Sequence, residues 1–79
     1  MKVKLRLKKK IMNRIGKRIR EIRLVKGISQ EKLAFDVGAE KSYITNIENG
    51  LRCPSMYGLF VILEVLGIDF KTFADFERF

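Results

Sequence analysis

Only two residues, Ala39 and Glu40, separate Gly38 from the next amphipathic segment, and this short joint constrains the chain more than any other feature. The segment before it, "QEKLAFDV", carries Leu33, Ala34 and Val37 at helical spacing, and the segment after it, "KSYITNIEN", carries Ile44 and Ile47. So short a connection cannot bring the second helix back antiparallel to the first, so the two must cross steeply. Gly38 stands where such a turn needs a positive φ, which glycine adopts without steric cost. Ala34 is small enough to let the helices approach, while Leu33, Val37, Ile44 and Ile47 fill the angle between them. Opposite the apolar side of the later helix lie Lys41, Ser42, Thr45 and Asn46, and Gly50 follows in the position favoured for a left-handed C-cap.

The remaining chain supplies helices to cover this corner. Asn13 is a candidate N-cap for a first helix whose Ile15, Ile19 and Ile22 recur every three or four residues until Gly27. Ser29 can cap the second, and the third spans Lys41 to Asn49. Pro54 and Ser55 open a fourth with Met56, Leu59, Phe60, Leu63 and Leu66 on its inner face, ended by Gly67. Asp69 can cap a fifth carrying Phe70 and Phe73. The expected fold is all-α, a compact five-helix domain over residues 13–79. Before it, Lys2 to Lys8 alternate strictly with Val3, Leu5 and Leu7, the period of a strand. A lone strand is unstable, so residues 1–12 are expected either to pair as a strand or to form a basic arm.

Composition narrows the function. At 79 residues there is room for one domain. One cysteine, Cys53, and no histidine leave no disulfide framework and no Cys/His zinc site within the chain, and point to a reducing, cytoplasmic setting. The run from Leu59 to Gly67 is too short, and broken by Glu64, to span a bilayer, and no secretory signal is legible in the charge-interleaved start. With no histidine and no paired carboxylates in a credible pocket, catalysis is not expected, nor is a cofactor or a small-molecule ligand.

The net charge of +8 is uneven: up to Lys26 there are twelve Lys/Arg and one acid, a balance of +11, and from Gly27 onward five against eight, a balance of −3. That asymmetry calls for a polyanionic partner, nucleic acid or an anionic membrane surface, or else describes a solubilising arm. From Gly27 to Arg52 three basic residues face four acids, so the two-helix corner alone would attract a polyanion weakly.

The spacing from Ala34 through Gly38 and Ile44 to Ile47 resembles a helix-turn-helix. "IGKRIREIRLVKGISQEKLA", "SYITNIENG" and "PS" before an apolar helix extend the resemblance, over about Ile15 to Phe73, to the Cro and phage-repressor-like (XRE-type) family. Length and "KSYITNIE" are also similar to the restriction-modification controller proteins within it. Glu40, where the family often has Ser, Thr or Asp, and the basic extension depart from the pattern.

The resemblance implies a sequence-specific transcriptional regulator that binds double-stranded DNA as a homodimer over a pseudo-palindromic operator, with residues 41–49 in the major groove. Lys41 and Ser42 on the first turn would read base edges, Lys41 at guanine O6 and N7. Thr45 and Asn46 are contacts or solvated positions, and Tyr43 either packs at the core edge or reaches a phosphate. Gln30 corresponds to a glutamine that contacts the DNA backbone, with Asn49, Arg52 and Ser55 along the same phosphate path. Arg23 and Glu48 correspond to a partly buried ion pair that locks the first helix to the third. Phe70, Phe73, Phe76 and Phe79 are dimer candidates, with core packing the competing role for the first two. A second extended reading pairs "DFERF" with the Val3–Leu7 strand, and a second functional reading is a protein-interaction module, an antitoxin or adaptor using the Phe-rich end.

Overall fold

Among the described residues, which are all but 1, 3 and 76–79, the computed structural model contains five helices and no strand. In chain order these are α1 (Leu5–Val25), α2 (Gln30–Val37), α3 (Lys41–Glu48), α4 (Met56–Leu66) and α5 (Phe70–Phe73). Helix α3 packs against α1 and α2, α4 covers α2 from another side, and α5 closes on α4. Ile19, Leu33, Ile44, Ile47 and Ile62 are fully buried where these helices meet, with Ala34, Leu63, Leu66 and Phe73 around them. None of the described helices is long and apolar enough to cross a membrane.

Local signals account for the helix ends. The Lys32 amide donates to Ser29 Oγ at 3.0 Å, the Gly58 amide to Ser55 Oγ at 3.0 Å, and the Thr72 amide to Asp69 Oδ1 at 2.7 Å, so three helices begin on side-chain caps. The hydrogen bond from Thr72 holds the Asp69 carboxyl below its ordinary range. Gly38 has φ +76, and the Ala39 amide behind it donates to Ala34 O at 2.9 Å, closing α2 in a left-handed cap. Glu40 begins α3 without a side-chain cap.

The first helix departs from its expected start. It does not begin at Asn13 but runs unbroken from Leu5, so residues 5–8 are helical and no strand forms there. Lys, Arg and Leu are good helix formers, and extending α1 pairs the amides from Lys8 onward within the helix, Lys8 itself donating to Lys4 O at 3.0 Å. A lone strand would leave those groups without partners. The alternation thus offered a period without an edge to pair with. Pairing of Val3–Leu7 with "DFERF" loses its strand, and residues 76–79 lie outside the described residues, as do the Phe76 and Phe79 dimer candidates.

Helix α4 is rotated from its expected face. Leu59, Leu63 and Leu66 point inward, joined by Ile62, but Met56 and Phe60 are 63% and 49% exposed. The cause is that α4 must meet both α2 and α5, which brings Ile62 rather than Phe60 to the centre. Phe73 belongs to the core at 3% exposure, whereas Phe70 stays outside and stacks on Phe60 with ring centroids 5.4 Å apart. Arg18 of α1 fastens the short α5 by donating through Nε to Phe73 O at 3.0 Å and through Nη2 to Thr72 O at 2.8 Å, contacts that sequence periodicity does not reveal.

Ala34 is 2% exposed in the packed corner. Replacing it with leucine should overpack the site and cost about 1–3 kcal/mol, read as a lower urea midpoint. An unchanged midpoint would mean the helices have slack to separate.

Candidate nucleic-acid interface

Helix α3 has two unlike sides. Ile44 and Ile47 are at 0% exposure, while Lys41, Ser42 and Asn49 are exposed and Tyr43, Thr45 and Asn46 are half-buried. The buried side cannot roll outward without giving up its packing, so the orientation of the polar side is set from behind.

A polar network fixes it further. Arg23 of α1 forks onto Glu48 of α3, Nε to Oε2 at 2.7 Å and Nη2 to Oε1 at 2.9 Å, while Nη1 donates to Ile28 O at 2.8 Å. Gln30 Nε2 donates to Glu48 Oε1 at 3.0 Å, and Thr45 Oγ1 donates to Gln30 Oε1 at 2.8 Å. The Glu48 hydrogen bonds raise the arginine pKa above its ordinary high value against the opposing effect of burial. Among the described residues no buried side-chain polar atom lacks a partner, which is the condition under which such a buried network stiffens a core.

These contacts change how several candidates are placed. Gln30 and Thr45 are tied into the scaffold; one amide hydrogen of Gln30 remains to face outward at the start of α2. Lys41 and Ser42 stand in the open on the first turn of α3. Gln30, Lys32 and Lys41 line an open depression of about 650 Å³ between the first turns of α2 and α3, together with Arg23, Ser29, Glu31 and Phe35. Lys32 is paired with Asp36 at 2.9 Å.

The loop after α3 is organised by the backbone of Asn46, whose carbonyl accepts from the Leu51 amide at 2.8 Å and the Arg52 amide at 3.2 Å. Arg52 lies over the Tyr43 ring, its guanidinium carbon 4.8 Å from the centroid. Tyr43 is half-buried, and a side chain at Gly58 would bring a Cβ within 2.6 Å of its hydroxyl, so Gly58 leaves room for the tyrosine. Ser55 uses an oxygen lone pair to cap α4 and keeps its hydroxyl proton to donate elsewhere. Tyr43 therefore gathers with Arg52 and Ser55, whereas Lys41 shares its depression with Gln30.

Two contacts that the motifs do not reveal, at Gly16 and at Asn13, hold α1 to the end of α3. A Cβ on Gly16 would strike the carbonyl oxygen of Ile47 and lie 3.0 Å from that of Glu48, so the helices touch backbone to backbone there. Asn13 lies against Gly50, where a Cβ would collide with its side-chain oxygen. A glycine within a helix at the spacing of the isoleucine face is the signal that could have marked Gly16.

The helix-turn-helix family profile matches residues 19–73, which takes in the ion pair, the two-helix corner and the core. The chain belongs to the helix-turn-helix family. Within that family it is 42% identical over 62 residues to Control protein C.BamHI of Bacillus amyloliquefaciens, covering 77% of this chain and 76% of the relative. Its fold is similar to that of the restriction-modification controller protein C.AhdI from Aeromonas hydrophila, with TM-score 0.75 and 35% identity over 78% of this chain and 94% of the other. The restriction-modification controller protein C.Esp1396I, whose structure is known as a tetramer in complex with its natural 35 base-pair operator, matches with TM-score 0.73 and 31% identity over 78% of this chain and 82% of its own. This helix-turn-helix chain thus shares its corner with controller proteins, and its own Lys41, Ser42 and Asn46 occupy the outer side of that corner.

Proposed function

We propose that the chain is a sequence-specific transcriptional regulator of the controller type, which inserts α3 into the major groove of double-stranded DNA and binds a pseudo-palindromic operator as a homodimer. The observation that carries this reading is the exposure of Lys41 and Ser42 on a helix whose opposite side is fully buried and locked by Arg23 and Glu48. Lys41 donates to guanine O6 and N7, Ser42 and Asn46 complete the base contacts, and Arg52, Ser55, Asn49 and the outward amide hydrogen of Gln30 bind phosphates. The complex of the similar controller protein C.Esp1396I with its own operator supports the same mode of action here. Regulation by occupancy involves no chemical step, so no enzymatic activity is assigned, and the work is done in the cytoplasm where the DNA lies.

The dimer contact follows from the exposed apolar surface of α4 and α5. Met56, Tyr57 and Phe60 share a helical side, at 63%, 81% and 49% exposure, and Phe70 stacks beside them at 41%. A single domain reads few base pairs, so a second copy on this surface would supply the second half-site. The same surface favours the alternative, a protein-interaction module that holds a different protein.

A mobility shift on the region upstream of the protein's own gene tests the reading. The wild-type chain is expected to give a retarded band that Lys41→Ala weakens by roughly five- to a hundredfold, the loss of one good base contact. Sequence-independent retention, identical for both proteins, would contradict it, and no retention at all would favour the interaction module.

A further inference from the structure

The first two turns of α1 overhang the domain. Leu5 to Met12 precede the family match, which begins at residue 19, and extend the helix by about 12 Å at 1.5 Å per residue. Counting back from Asn13 in steps of three and four brings Lys10, Lys9 and Arg6 onto the Asn13 side of the helix, and counting forward brings Lys17 and Arg20 onto it. All five are exposed, and none pairs with a carboxylate among the described residues. Asn13 itself lies against Gly50, at the end of α3. The basic stripe therefore passes beside the exit of the helix proposed to enter the groove.

The overhang is amphipathic, with Leu7 and Ile11 four residues apart on the side away from these cations and Leu5 and Met12 beside them. That side is short and broken: Leu5 and Leu7 are 64% and 46% exposed, Ile11 and Met12 are half-buried, and Lys4 and Lys8 fall between them. An interfacial membrane helix needs one continuous apolar face. Cations along one side of a rigid rod instead match a line of phosphates.

We propose that Arg6, Lys9 and Lys10 form a second DNA contact, holding the sugar-phosphate backbone of the same duplex beyond the bases met by α3. This rests on the operator-binding reading above and adds to it a sequence-independent clamp. It also answers the charge deficit of the corner, where acids outnumber bases between Gly27 and Arg52.

The test compares the full chain with its Arg6→Gln/Lys9→Gln/Lys10→Gln variant, titrated by fluorescence anisotropy against the upstream region and against a random-sequence duplex over a range of KCl. Each phosphate contact contributes about 0.9 to the slope of log K against log salt, so the variant should lose roughly 2 to 3 from that slope for each bound protomer, about twice that for a dimer on the operator. Its preference for the operator over a base-substituted operator should stay within about twofold, and circular dichroism should show a folded helical protein with the wild-type melting transition. An unchanged slope in a folded variant overturns the clamp while leaving the operator reading intact. A wild-type protein that shows no operator preference, yet loses slope on the random duplex when the three cations go, sinks the operator reading and upholds the clamp. Loss of binding to phosphatidylserine vesicles without any change in the DNA slope would assign the stripe to membranes and overturn it.

Discussion

Glu48→Ala is expected to cost about 3–5 kcal/mol, because it strands the buried Arg23 guanidinium without its charge partner. Arg23 is 6% exposed and donates two hydrogen bonds to that carboxylate, at 2.7 and 2.9 Å. A domain of this size has roughly 4–12 kcal/mol in total, so the loss takes a large share of it. Gln30 would also lose its acceptor, and with it the support for Thr45. The melting temperature should fall by more than ten degrees, at about 4–8 °C per kcal/mol. Replacing both partners, Arg23→Leu with Glu48→Leu, should recover much of that loss, since it is the unpaired charge that is expensive. A urea double-mutant cycle measures the coupling; single variants each costing under about 1 kcal/mol would show that the pair does not lock α1 to α3.

The second large effect is expected at Gly16. In an exposed helix, glycine to alanine is favourable by about 1 kcal/mol. Here the added Cβ runs into the carbonyl oxygens of Ile47 and Glu48, which belong to helix backbone and cannot swing aside. Overpacking costs about 1–3 kcal/mol and occasionally more, so Gly16→Ala should be destabilising despite its better propensity, and Gly16→Val more so. Because the collision is with the last turn of α3, operator affinity should fall even in the folded fraction. Denaturation of both variants, with the exposed Lys17→Ala as a control expected within about 0.5 kcal/mol of wild type, checks this. A more stable Gly16→Ala would mean that α1 and α3 are not in backbone contact.

What sequence alone revealed divides along the range of the interactions involved. The Ser29, Ser55 and Asp69 caps and the left-handed Gly38 are local devices, decided within four residues, and the structure has them where the residues suggested. The start of α1 was not legible, because Lys2 to Lys8 satisfy a strand's alternation and a helix's propensities together, and only the lack of an edge to pair with decides between them. The inner face of α4 depended on α2 and α5, so Phe60 and Ile62 could not be sorted by spacing. At the interface, the exposed first turn of α3 follows from its periodicity. The tie from Thr45 through Gln30 to Glu48 does not, since it joins positions up to 18 residues apart. Gly16 announces itself only once Ile47 is beside it.

The central claim, that the open first turn of α3 meets base edges in the major groove, is tested most directly by dimethyl sulfate protection of guanine N7 on the operator. Wild-type protein should shield a symmetric pair of guanines, one in each half-site, and Lys41→Ala should restore their methylation while other protected positions stay covered. Protection that is unaltered by Lys41→Ala, or no N7 protection in either half-site under saturating protein, would contradict it.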